Sequence, residues 1–230
     1  GPNLHLTRLV IRGFKRFGEL DLELYPHFSV IVGDNETGKS SLLEAVALVL
    51  KGQYQGRLIQ YAIDPYLFNQ SMVDSYFTKL RDGGHQDPPH LLIEAYLGAA
   101  DPPPEIVKLQ GTHNTRGEDC PGLSLAIAVS DDYAGDLADY AREEENPTIL
   151  PVEFYAATWR SFAGNAVNSR RVPFRTAVID PLTPAGNRAP NRYITQVVGD
   201  VLSEGQRRDL ALEYKKVRHS FAQEPGVKQL

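Results

Sequence analysis

Eight consecutive residues, Gly33-Asp34-Asn35-Glu36-Thr37-Gly38-Lys39-Ser40, carry the spacing G-x-x-x-x-G-K-[ST]. Those residue types suit a polyphosphate. A triphosphate needs many hydrogen-bond donors at close range, and a glycine-containing loop lets backbone N–H groups turn inward around it. A helix starting behind the loop adds unpaired amide donors and partial positive charge at its N-terminus. Lys39 is expected between the β- and γ-phosphates, where it is the candidate catalytic residue. The Ser40 hydroxyl is placed to ligate Mg²⁺, which keeps water and phosphate oxygens as its other ligands. With glycine near 7% of ordinary composition, a chance match in a chain this long is roughly one in a hundred.

The motif needs a strand before it and a helix after it, and the flanking sequence meets both conditions. Phe28, Ser29, Val30, Ile31 and Val32 are nearly continuous apolar, as in a central strand covered on both faces. Residues 33–38 read as the loop. Behind them Leu42, Leu43, Val46, Ala47 and Leu50 fall on one face of a helix, and Gly52 is a plausible stop. Ahead of the motif, Leu20, Leu22 and Leu24 alternate with Asp21 and Glu23, the period of a half-buried strand. Residues 4–12 are a second strand and 13–18 the turn, so an antiparallel hairpin is expected over 4–24.

Further along, Asp64-Pro65 reads as an N-cap with proline at the first helical position, opening a helix toward Gly83-Gly84. Strands are expected over 91–97, 123–129, 152–155 and 174–179, with Pro/Gly-rich loops over 98–104 and 111–122 and an acidic helix over 135–145. Glu143, Glu144 and Glu145 are expected to be solvated. Two helices close the chain. Ile194, Val197, Val198, Val201 and Leu202 form one apolar stripe; Leu210, Tyr214, Val217 and Phe221 recur at the steps of a coiled-coil seam.

Composition narrows the class. The chain is 42% hydrophobic and 23% charged, which is globular and sufficient for a core. No run approaches the length of a membrane span, and no signal peptide is visible. A net charge of −5 argues against a surface devoted to coating nucleic acid. Cys120 is the only cysteine, so neither an internal disulfide nor a thiolate metal cage can form, and a reduced, cytoplasmic setting fits. His85 and His90 stand in a Gly/Pro-rich turn and are expected to be solvated.

Gly13-Phe14-Lys15-Arg16-Phe17, together with the run from Val32 through Ser40 to Ser41-Leu42-Leu43-Glu44-Ala45, resembles the start of the ABC-type ATPase heads of the SMC, Rad50 and RecF proteins. Within that group the chain looks most like the overcoming-lysogenization-defect (OLD) family, in which such a head precedes a Toprim nuclease. Glu36-Thr37, where SMC-type loops usually carry a glycine, leans that way. The resemblance covers residues 4–51. It implies an α/β P-loop fold with a mixed sheet, an N-terminal antiparallel hairpin and a C-terminal helical segment. ATP and Mg²⁺ are the implied cofactors, held by Gly33, Asp34, Asn35, Glu36, Thr37, Gly38, Lys39, Ser40 and Ser41. Asn35 would lie toward the γ-phosphate, and Lys15 and Arg16 would approach the adenine and phosphates from the edge; two solvated turn cations are the equal alternative for that pair. A homodimer of heads in the full-length protein, DNA reached through other regions and no membrane are the implied partners.

Hydrolysis in this superfamily also needs four apolar residues followed by Asp-Glu, to hold Mg²⁺ and polarise water. Residues 176–180 end in Asp180 but continue with Pro181, and residues 125–129 lead to Ser130-Asp131-Asp132. Neither supplies the glutamate. Leu202-Ser203-Glu204-Gly205-Gln206 resembles a signature loop but reads better as a capping box at Ser203 and Gln206. The expectation is an N-terminal part of a split head over 3–190, with 191–230 entering a helical insertion. Gating of a nuclease is the leading expectation; a repair or clamping head without nuclease is the alternative, and a small-molecule kinase is the weakest. Trp159-Arg160, ahead of the basic pair Arg170-Arg171, is expected in a surface loop with one packed tryptophan; an arginine there contacting a phosphate, DNA or the partner head is the alternative.

Overall fold

A computed structural model describes residues 4–24 and 36–167, with 36–40 described as helical backbone only. Strand β1 (His5–Phe14) turns through Lys15 and Arg16 into β2 (Phe17–Glu23), and the two pair antiparallel with Val10 opposite Asp21 and Ile11 opposite Leu20. The expected hairpin is present, with a turn shorter than 13–18. Gly13 explains why the strand continues that far. It lies at φ +68°, and a Cβ there would stand 2.3 Å from the His90 carbonyl oxygen, so only glycine fits.

Helix α1 (Glu36–Lys51) follows. It begins three residues earlier than the loop reading over 33–38 allowed, so Glu36, Thr37 and Gly38 belong to its first turn. An acidic residue at that end complements the helix dipole, and one glycine costs only about 1 kcal/mol. The one-sided amphipathic expectation also needs correction. Every residue from Ala45 to Leu50 is buried, the pattern of a helix enclosed on all sides. Gly52 ends it as expected, at φ +63° with its N–H donating to the Leu48 carbonyl.

A small hairpin, β3 (Gln53–Tyr54) and β4 (Arg57–Leu58), leads through two 3-10 turns, Ile59–Tyr61 and Pro65–Leu67, to α2 (Gln70–Arg81). Asp64 caps the second 3-10 turn, not a helix. Phe68 is held extended by a bridge to Phe14, so the helix opens only at Asn69, whose side chain accepts from the Met72 N–H. Tertiary pairing overrode the local proline signal.

The remaining described elements are β5 (Leu91–Gly98), the short α3 (Pro104–Val107), β6 (Gln110–Gly111), β7 (Cys120–Val129), α4 (Ala134–Glu143) and β8 (Tyr155–Ser161). The loop expected over 98–104 meets β5 and α3 only at its ends, Gly98 and Pro104, whereas that over 111–122 takes in Gly111 of β6 and the first residues of β7. The strand expected over 152–155 starts at Tyr155 instead, because Val152–Phe154 form a 3-10 turn behind Pro151. Glu143, Glu144 and Glu145 are exposed, as are His85 and His90.

Six strands form one sheet in the order β2-β1-β5-β7-β6, with β8 also on β7. All its described pairings are antiparallel, so the parallel part of the expected mixed sheet is not among the described residues. Leu9, Ile11, Ile93, Ala95, Leu123, Leu125 and Ile127 line the face that packs on α1, all fully buried. The opposite face buries Val10, Tyr96 and Phe162. The strands expected over 28–32 and 174–179, the residue pair Arg170-Arg171 and both closing helices lie outside the described residues, as does the proposed boundary near 190.

Candidate nucleotide-binding site

The phosphate motif straddles the edge of the description. Gly33, Asp34 and Asn35 lie outside it; Glu36, Thr37, Gly38, Lys39 and Ser40 are placed as the first turns of α1. The first four N–H groups of any α-helix lack intrahelical partners. A start at Glu36 therefore puts those donors beside Lys39 and Ser40. That donor set suits a polyphosphate, which the helix end, the ammonium and the hydroxyl would hold together with a magnesium ion. Ser41, also expected at the site, is buried, with 7% of its surface exposed.

Two polar anchors fix α1 in place. At its C-terminal end the Trp159 indole donates from Nε1 to the Val49 carbonyl at 2.8 Å, satisfying one of the last helix acceptors. Trp159 and Arg160 sit in β8, not in a surface loop, but the tryptophan is packed as expected: a Cβ at Gly52 would stand 2.7 Å from its ring. The second anchor reaches the helix mid-way. Lys15 Nζ pairs with the Glu44 carboxylate and donates to the Tyr54 hydroxyl at 2.8 Å. The ammonium also lies 5.0 Å from the Tyr54 ring centre and 5.7 Å from that of Phe14.

Burial works against the Lys15 charge, yet the charge and hydrogen bond of Glu44, with the Tyr54 hydroxyl, outweigh it and leave the ammonium above the usual lysine range. Burial likewise raises the Tyr54 hydroxyl, partly offset by its bond from Lys15. The Lys15 backbone is equally constrained. It sits at φ +49°, its N–H donates to Leu67 at 2.8 Å, and its carbonyl accepts from Asn69 Nδ2 at 2.9 Å. Arg16, the other expected cation of the turn, is exposed.

Glu44, Tyr54 and Asn69 were not singled out by sequence reasoning. Glu44 had a usable signal, since it follows Ser40 by four residues and so shares its helix face. Tyr54 had none. Of the two hydrolytic-strand candidates, residues 125–129 lie in β7 between β5 and β8, and Asp131 and Asp132 beyond it are exposed in a 3-10 turn. Residues 176–180 and 202–206 are outside the described residues. Among those described, no group of histidine, cysteine and acidic residues could hold a metal ion, and no helix is long and apolar enough to cross a membrane. Cys120 is half-buried, and burial, aided by Glu118, Asp119 and Glu94, pushes its thiol up to about 11.

Residues 8–87 match the AAA domain. The match runs from β1 through α2, covering the hairpin, the phosphate motif and α1. Over 86 residues the chain is 35% identical to the DNA replication and repair protein RecF of Actinobacillus pleuropneumoniae, an alignment covering 35% of this chain and 22% of the relative. RecF of Edwardsiella ictaluri is 38% identical over 74 residues, covering 30% and 21%. RecF of Haemophilus ducreyi is 35% identical over 72 residues, covering 29% and 20%. The chain thus spans about a fifth of the length of these relatives. No solved structure matches it. These matches support an ABC/SMC-like ATPase head in the N-terminal part of the chain.

Proposed function

We propose that this chain is the nucleotide-binding part of a RecF-like ATPase head that works on DNA, with Mg·ATP held at the start of α1. The observation that carries the reading is the coincidence of the G-x-x-x-x-G-K-S motif with a helix starting at Glu36, inside a stretch that matches the AAA domain. Lys39 supplies the positive charge at the β- and γ-phosphates and Ser40 the magnesium ligand, with Gly33, Asp34 and Asn35 ahead of α1 and Glu36, Thr37, Gly38 and Ser41 in its first turns completing the site. Bound magnesium would neutralise phosphate charge and bridge the terminal oxygens. Two such heads would close around ATP as a homodimer in the cytoplasm, and DNA would be reached through other regions.

RecF similarity favours a repair or clamping head over one that gates a nuclease. The nuclease-gating alternative rests on Glu36-Thr37 in the motif. Because no Asp-Glu pair follows an apolar strand in this sequence, the chain by itself should bind ATP with little turnover. Calorimetric titration with Mg·ATP tests the reading. Saturable heat that disappears in Lys39→Ala is the expected result; equal binding by both proteins would overturn it. Phosphate release from the chain that disappears in Lys39→Ala would overturn the low-turnover part.

A further inference from the structure

We propose that Lys15 acts on the phosphate-binding helix and not on the nucleotide: with Glu44 and Tyr54 it forms a joint that positions α1 against the β1–β2 turn. The proposal rests on the nucleotide reading above, and it assigns Glu44 and Tyr54 a positioning role.

The geometry leaves the Lys15 side chain little freedom to reach a phosphate. An ammonium has three N–H donors. One is taken by Glu44 and one by the Tyr54 hydroxyl, while two aromatic rings lie against the cation. Its backbone is tied at both N–H and C=O to the segment that opens α2. To move to a nucleotide, Lys15 would take its charge from a Glu44 side chain that is only 18% exposed. That move would break an ion pair whose two side chains are both largely sheltered, 22% and 18% exposed.

The other end of the joint is suited to transmit position. Glu44 stands one helical turn beyond Ser40 and shares its face. A hold at Glu44 therefore sets the rotation and depth of the turn that carries Ser40. Asn69 uses its two side-chain atoms separately, Oδ1 on the Met72 N–H and Nδ2 on the Lys15 carbonyl. The joint thus brings together the β1–β2 turn, α1, the β3–β4 hairpin and the start of α2.

Charge exchange separates positioning from direct contact. Mg·ATP affinity is measured by calorimetry on the full chain for Lys15→Glu, Glu44→Lys and the double variant. Each single change should weaken binding about tenfold, by placing like charges together, and the double should recover to within about threefold. If Lys15 touches the nucleotide, the double stays as weak as Lys15→Glu, and the proposal is overturned. Should a charge-reversed single fail to fold by circular dichroism, the neutral cycle decides. Lys15→Met, Glu44→Gln and their combination should then be equally weak, whereas additive losses overturn the joint. Lys39→Ala runs alongside. If it binds as wild type does, or wild type does not bind, the nucleotide reading itself has failed; if it alone behaves as expected, the failure belongs to the joint.

Discussion

At the scale of single residues, the strongest departure from expectation is the environment of Lys15. Its position in a turn between Phe14 and Arg16 suggests either a solvated cation or one reaching for a nucleotide. The structure gives it a carboxylate, a phenol and two rings. Nothing in the local sequence announces this, because Glu44 is 29 residues away and Tyr54 is 39. The consequence is a pH dependence with a definite sign. Lys15 titrates above its ordinary 10.5 when folded, so its contribution to stability is complete below that value and is lost as pH rises through the folded value. Burial raises Tyr54 from 10.0 as well, so its hydroxyl stays neutral below that value and keeps accepting from the ammonium. Melting curves of wild type and Lys15→Met should therefore differ at about pH 8, with wild type the more stable, and converge above the lysine range. A gap that widens with rising pH would contradict the ion pair.

At the scale of elements, the sequence was most readable where one period governs one element. The alternation of Leu20, Leu22 and Leu24 with acids gave β2, and the stop at Gly52 gave the end of α1. It was least readable where a distant element decides. Asp64-Pro65 carries a sound local helix signal, yet the bridge from Phe68 to Phe14 moves the helix start to Asn69. The apolar stripe of α1 suggested one buried face because local periodicity cannot reveal what covers the other. Trp159 shows the same limit, since its role depends on a carbonyl 110 residues away. That contact makes a test of how α1 is held. Trp159→Phe keeps most of the ring and removes the donor to Val49, so it should cost about 1 kcal/mol in urea unfolding. Gly52→Ala forces a Cβ into the same ring at a positive φ, and should cost more, about 2–4 kcal/mol. If Gly52→Ala were the milder change, the packing of indole on glycine would be wrong.

At the scale of the whole molecule, the two faces of the sheet divide the work. One face carries α1; against the other lie Phe162 and the segment between β6 and β7. That covering segment is held by a buried carboxylate. Glu94 on β5 is 2% exposed and accepts from the Thr115 N–H at 2.8 Å, the Thr115 hydroxyl at 2.5 Å and the Tyr96 hydroxyl at 3.0 Å. Asn114 folds the segment further by accepting from the Arg116 and Glu118 N–H groups, and Arg116 reaches Asp21 on β2 at 3.2 Å. An acid inside a strand of apolar residues is invisible to a periodicity argument except as a break, and its partners lie in what reads as an ordinary polar loop. Because the Glu94 network and α1 are on opposite faces of the sheet, stability and binding should separate. Glu94→Ala removes the acceptor for three donors and should cost about 3 kcal/mol in denaturant unfolding. Mg·ATP affinity, read by calorimetry at a temperature where the variant remains folded, should stay within about twofold of wild type. A parallel loss of affinity would mean that the sheet transmits strain from one face to the other, and that the covering segment belongs to the nucleotide site after all.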